Sequence, residues 1–369
     1  MWRVLLVLCA VVLLWAEDGL LLGGWVRAGG GGVVQLDRNG TFSNWAYAGQ
    51  TTWRLSAANL DTEYARFEFS GDLSLLQGVM TNLASSSIRW QVGEEAILTA
   101  ELRKFLVMVK PWWGDVILGR QLVRWGEGVV FSPLDFFTSL DMMDVGLSRL
   151  GVDAVRVKIP LGQTGFGEAI GLVHSSWTNS TAGSRVGVAM GSWYTTLAAF
   201  YRGREKEWIG GVSLKGDLGP AWYTEVVYHH ATNDKNSFWH GMIGMDYSWE
   251  KKWILRLEYA THTLETTNFT LFEQYTLPVY PFLSRHYASL QFLFLPTMID
   301  TFSLTLVANL DDKETLWWQK GQWWIVSYTR NLYQNVHLLT WLRYQTDMAG
   351  IETERKGLWS FLVSVEVKY

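Results

Sequence analysis

The chain closes on Trp359-Ser-Phe-Leu-Val-Ser-Val-Glu-Val-Lys-Tyr369. Trp359, Phe361, Val363, Val365, Val367 and Tyr369 share one parity, and Ser360, Ser364, Glu366 and Lys368 share the other, interrupted by Leu362. Successive side chains of a β-strand point to opposite faces, so this spacing predicts one strand with an apolar and a polar side. The pattern recurs upstream. Ala65, Phe67 and Phe69 alternate with Arg66, Glu68, Ser70 and Asp72; Leu98, Ala100 and Leu102 with Thr99, Glu101 and Arg103. Val155, Val157 and Ile159 alternate with Arg156 and Lys158; Leu255, Leu257 and Tyr259 with Arg256 and Glu258; Leu338, Leu342 and Tyr344 with Arg343 and Gln345. Alternation with charge on the second face suits a wall between lipid and water. A soluble sandwich also buries one face, but rarely with so many long strands carrying charge inward.

Composition narrows the class. The 369 residues include 22 Trp, 15 Tyr and 17 Phe. A soluble domain hides that many rings only in a very large core, whereas a lipid-facing barrel shows them outward, with Trp and Tyr at the two interfaces. After Ala16 no apolar run is long enough to cross a bilayer as a helix. The net charge of −4 argues against a nucleic-acid partner. Met1-Trp2-Arg3 followed by the apolar run Val4–Ala16 reads as a secretory leader cut after Ala16, with Val26-Arg27-Ala28 as the alternative site. Cys9, the single cysteine, would leave with it, so no disulfide or thiolate metal site is expected. The expected organisation is a leader at 1–16, a flexible glycine-rich start at 17–32 and a barrel at 33–369.

Short turns near 59–61, 110–113, 161–165, 191–192, 217–220, 250–252, 296–299 and 331–333 alternate with longer segments, as short periplasmic turns alternate with external loops. With an ascending strand at Val33–Arg38 and a hairpin at Asn39-Gly40, the count is an antiparallel up-and-down transmembrane β-barrel of about 18 strands, with 16 as the alternative. Aromatics beside the short turns, Trp112, Trp113, Trp193, Tyr194, Trp222, Tyr223, Trp249, Trp253, Tyr328 and Tyr333, are expected to form the periplasmic girdle.

The terminal strand with its final aromatic resembles the last strand of bacterial outer-membrane β-barrels. In that family this strand is read by the barrel-assembly machinery and closes on the first. The stretch Gly119-Arg-Gln-Leu-Val-Arg-Trp-Gly-Glu-Gly-Val-Val-Phe-Ser-Pro-Leu-Asp-Phe-Phe137 resembles the Gly-Arg-Gln…Trp-Gly-x-Gly segment of porin-like families, and more loosely the 18-stranded alginate-export type. The resemblance implies a pore or export barrel in the outer membrane.

Physically, two glycines and Pro133 allow sharp bends in this stretch. Phe131, Leu134, Phe136 and Phe137 are too apolar for a free external loop, so Trp125–Leu150 is expected to fold into the lumen. Arg120, Arg124, Glu127, Asp135, Asp141, Asp144 and Arg149 would then stand near the constriction, either anchoring the loop or touching solute. Arg66, Glu68, Glu101, Arg103, Arg156, Lys158, Arg256, Glu258 and Arg343 would line the pore. His229, His230 and His240 are weak metal candidates, since neighbours on a strand point opposite ways. No catalytic group, metal or cofactor is expected. The reading is a passive channel for ions or small polar solutes, with a homo-oligomeric form left open; the alternatives are a polysaccharide- or ligand-binding or export barrel, or an outer-membrane hydrolase.

Overall fold

A computed structural model describes residues 20–36, 41–59, 64–83, 88–137, 151–172, 180–204, 206–231, 237–263, 285–311, 322–346 and 357–369. The expected leader at 1–16, the expected hairpin at Asn39-Gly40, and Asp141, Asp144 and Arg149 lie outside them. The described strands are β1 (Leu20–Leu36), β2 (Phe42–Asn59), β3 (Ala65–Gly78), β4 (Ile88–Gly93), β5 (Ala96–Val109), β6 (Asp115–Gln121), β7 (Val152–Leu161), β8 (Gly165–Leu172), β9 (Thr181–Met190), β10 (Trp193–Arg202), β11 (Glu207–Asp217), β12 (Ala221–Ala231), β13 (Phe238–Trp249), β14 (Trp253–His262), β15 (His286–Phe294), β16 (Asp300–Asn309), β17 (Gln322–Tyr333), β18 (Val336–Gln345) and β19 (Gly357–Lys368). All pair antiparallel in one sheet, and β1 meets both β2 and β19, so the sheet is closed. Eighteen of the strands form the ring; β4 pairs with β5 alone.

Closure gives each of the eighteen ring strands a neighbour on both sides and leaves the outer face free to be apolar. Leu55, Leu73, Val186, Leu197, Ile243, Val326, Phe361 and Val363 are exposed on that face. Two rows of rings mark its edges. Towards the short turns, Trp249, Trp253, Phe294, Phe302 and Tyr328 contact in sequence, and Trp193 meets Trp222. Towards the other end, Tyr201 meets Trp208, and Tyr228 meets Trp239. Trp239 and Trp249 close the two ends of β13. At roughly 3.4 Å per residue and the usual strand tilt, that separates the rows by about 25 Å, the height of a bilayer's apolar band. The expected girdle needs one correction: Tyr194 and Tyr223 sit on the inward parity, because each follows a tryptophan that faces out, and Tyr223 is 2% exposed.

Two further expectations change. The segment 17–32 was expected to be flexible, yet β1 begins at Leu20 and Gly29–Gly32 sits in register with both neighbours. Glycine reads as a weak strand former, but here it serves close approach: a Cβ at Gly31 would run into the Phe361 carbonyl. One of the longer segments expected to be an external loop, residues 74–93, holds the end of β3, a 3-10 turn at Val79–Leu83 and β4. Strand β6 stops at Gln121, and β4 takes its place beside the upper part of β5.

Candidate functional site: the inward segment and the basic lumen

Beyond Gln121 the chain leaves the wall. Val123, Trp125, Leu134, Phe136 and Phe137 pack on inward residues Ala154, Ile170, Ala198, Phe200, Ile209 and Val227. Val130 and Phe131 pack on Tyr223, Met242, Ala260, Tyr287 and Trp323. The apolar run that looked too greasy for a free loop is therefore a second layer on the inner wall from β7 to β17.

Burying a segment without regular structure leaves its backbone N–H groups to be satisfied, or each costs about 1–3 kcal/mol. Carboxylates meet this need. Asp135 accepts from Trp125 N and Gly126 N at 2.6 and 2.9 Å. Glu225 accepts from Glu127 N at 2.5 Å, Gly128 N at 3.0 Å, Leu134 N at 2.9 Å and the Ser132 hydroxyl. Glu258 accepts from Val129 N, Val130 N and Phe131 N at 2.6–2.9 Å, and from the Tyr223 hydroxyl. Every backbone N–H from Trp125 to Phe131 thus points at a carboxylate. Glu168 receives the Trp125 indole N–H at 2.6 Å together with Arg156 and Arg185.

The Trp-Gly-x-Gly spacing follows from this. Neither Gly126 nor Gly128 is among the glycines with positive φ, so they do not serve a left-handed bend. A Cβ on Gly126 would press into Ser132 Oγ and the Glu225 carboxylate, and one on Gly128 into the Phe131 carbonyl and the Met242 methyl.

The expected constriction residues separate. Asp135 is fully buried and is an anchor. Arg124 donates to the carbonyls of Gly126, Glu127 and Gly128 while its side chain stays 44% exposed. Glu127 pairs with Lys215 at 2.9 Å. Arg120 departs from expectation: it pairs across the ladder with Phe105 and Asp153, on the outward parity of Leu118 and Val155, and bonds Asp153 and the Leu102 carbonyl. The parity shared by Val116, Leu118 and Arg120 was the signal for this.

Among the expected lining residues, Glu258, Arg156 and Arg343 point inward but are buried. Lys158 stands across from Asp115 and Glu168. Arg256 pairs with Asp246. Arg66 and Lys104 flank Glu68, and Arg103 joins Arg54 on Asp72, with Glu101 at 3.8 Å. A bulge makes Arg103 an extra residue in β5, which lets both Arg103 and Lys104 reach acids on the inner face. The sequence pattern missed Arg27, Arg54, Arg185 and Lys215, which lie in strands whose alternation is diluted by glycine and small residues.

Among the described residues, two inner cavities bring these charges together. One, of about 440 Å³, is lined by Arg124, Glu127, Arg185, Lys215, Asp246 and Arg256 with neighbouring residues. The other, of about 520 Å³, includes Arg54, Arg66, Glu68, Arg103 and Lys104. In both, the cations stand forward of the acids. Lys215 is 48% exposed against 18% for Glu127, and Lys104 44% against 19% for Glu68. Among the described residues, only the Arg256–Asp246 and Arg103–Glu101 pairs run the other way. Of the histidines, His229 bonds Glu207, and His240 packs edge-on to His262. No metal-holding group of three His, Cys, Asp or Glu occurs among the described residues.

Solved structures with this architecture include Pseudomonas aeruginosa OpdL (TM-score 0.57, 9% identity, 95% of this chain and 98% of that one). Acinetobacter baumannii OccAB4 gives 0.56 at 9% identity over 96% and 100% of the two chains. The outer membrane protein OprD from Pseudomonas aeruginosa gives 0.56 at 6% identity over 94% of each. No protein-family model and no curated protein sequence matches the chain. At such identities the likeness is one of fold, and that fold is the barrel of bacterial outer-membrane porins.

Proposed function

We propose that this protein is a passive outer-membrane channel for ions and small polar solutes, with a preference for anions. The observation that carries the reading is the unequal reach of the inner charges. Asp246 and Glu101 apart, the paired acids are withdrawn under the inward segment or behind their partners, while Arg124, Lys215, Arg66 and Lys104 extend into open space. Fixed charge in a low-dielectric wall acts most strongly on the ion closest to it, so the water in the pore sees positive potential. The constriction is formed by residues 124–129 facing β9 to β14. The protein matures by loss of residues 1–16, meets the barrel-assembly machinery through β19 and performs no chemistry on what it passes. Single-channel recording in planar bilayers tests this: a stable conductance with a reversal potential on the anion side is expected across a salt gradient. Absence of conductance from folded protein, or cation preference, would reject it.

A further inference from the structure

The lumen contains two kinds of acid. Asp72, Glu68 and Glu366 sit beside arginines and lysines and offset their charge. Glu225 and Glu258 do something else: together they take six backbone N–H groups of the inward segment, one serine hydroxyl and one tyrosine hydroxyl. They are 0% and 3% exposed, screened from the water in the pore by the segment they hold. An uncharged amide in their place would offer one acceptor oxygen and two donors, where the segment presents donors only.

We infer that Glu225 and Glu258 are positioning residues whose carboxyl oxygens, by accepting from the inward segment, sustain a preference for anions. They set pore width and selectivity indirectly, by clamping the stretch that carries Arg124 against the wall. The inference rests on the channel reading above. It also predicts the reverse of what direct electrostatics gives. Removing an acid from the lumen should strengthen anion preference and leave conductance alone if the acid acts through its field. If the acid is a clamp, its removal frees residues 125–131, widens the pore and carries Arg124 away from the path.

The test compares the full-length protein with Glu225→Gln, Glu258→Gln and the double variant, each confirmed as folded by heat-modifiable migration. We expect the double variant to raise single-channel conductance at least twofold and to move the reversal potential towards zero. Conductance unchanged, with the reversal potential moved further to the anion side, would overturn the inference. Gly128→Ala is the charge-neutral counterpart, since its Cβ meets the Phe131 carbonyl and the Met242 methyl. It should widen the pore in the same direction, and an unchanged pore would count equally against the clamp. If the native protein does not conduct, the channel reading fails by itself. The clamp is then read by limited trypsin digestion, which should cut after Arg124 in the double variant and spare the native protein; equal cutting would reject it.

Discussion

The two sides of the inner wall use the same residue types to different ends. From β1 to β5, strand meets strand through side-chain ion pairs: Arg27 with Glu366, Arg54 and Arg103 with Asp72, Lys104 and Arg66 with Glu68. Arg27 and Arg54 also flank one indole, with guanidinium carbons 4.7 and 4.6 Å from the Trp25 ring. From β8 to β14, Glu168, Glu225 and Glu258 serve a covering layer of chain, and two of the three do so mainly through backbone N–H groups. The first side is a charged surface facing water, held by pairs that are each worth little when part-exposed. The second is a small core with an ionic lining, where each lost acceptor strands buried donors. Equal charge counts can therefore hide unequal energetic weight.

The largest expected effect lies in the covered half. Gly126→Val should cost roughly 3 kcal/mol, from overpacking and from prying Glu225 off its donors. Gly71→Val on β3 should cost under about 1 kcal/mol, because a Cβ there meets nothing closer than ordinary contact. The temperature at which each variant loses its folded gel mobility compares them, and equal temperatures would erase the contrast between halves.

Tyr369→Ala should reduce assembled protein in the outer membrane well below the level of Lys235→Ala. The Tyr369 hydroxyl bonds the Arg54 carbonyl, and its ring lies where a Cβ on Gly24 would be. Equal assembly of the two variants would deny the seam that role.

A smaller, electrical effect is expected of Arg124→Ala, which should move the reversal potential towards cations. The shift should fade between 0.1 and 1 M salt as the Debye length falls from about 10 to about 3 Å. Arg120→Ala should leave the reversal potential in place, since Arg120 bonds Asp153 on the outer parity. Its stability cost should be roughly 0–1 kcal/mol, as for other part-exposed pairs. A selectivity change at Arg120 as large as that at Arg124 would place its charge in the pore after all.

The barrel was legible because a period of two is stamped on nearly every strand and because turn lengths alternate. It was least legible in β1, where glycine removes the side chains that carry the period. The burial of 125–137 was legible from Phe131, Leu134, Phe136 and Phe137. The roles of Glu225 and Glu258 were not, because their partners are backbone N–H groups, which every residue except proline has. Arg120 and Arg124 look equivalent in sequence. The end of β6 at Gln121 falls between them, leaving one on the outer wall and the other inside.

The seam between β1 and β19 has a cost in time. It joins Arg27 to Glu366 across 339 positions, so its closure carries a chain-entropy penalty of about 5 kcal/mol. The ladder from Trp25↔Lys368 to Leu36↔Gly357 returns nothing until that distance is crossed. An open ring would leave two rows of unsatisfied backbone groups in lipid, where no water offsets them. Insertion and ring closure should therefore be a single late step, and the slowest in the life of the fold.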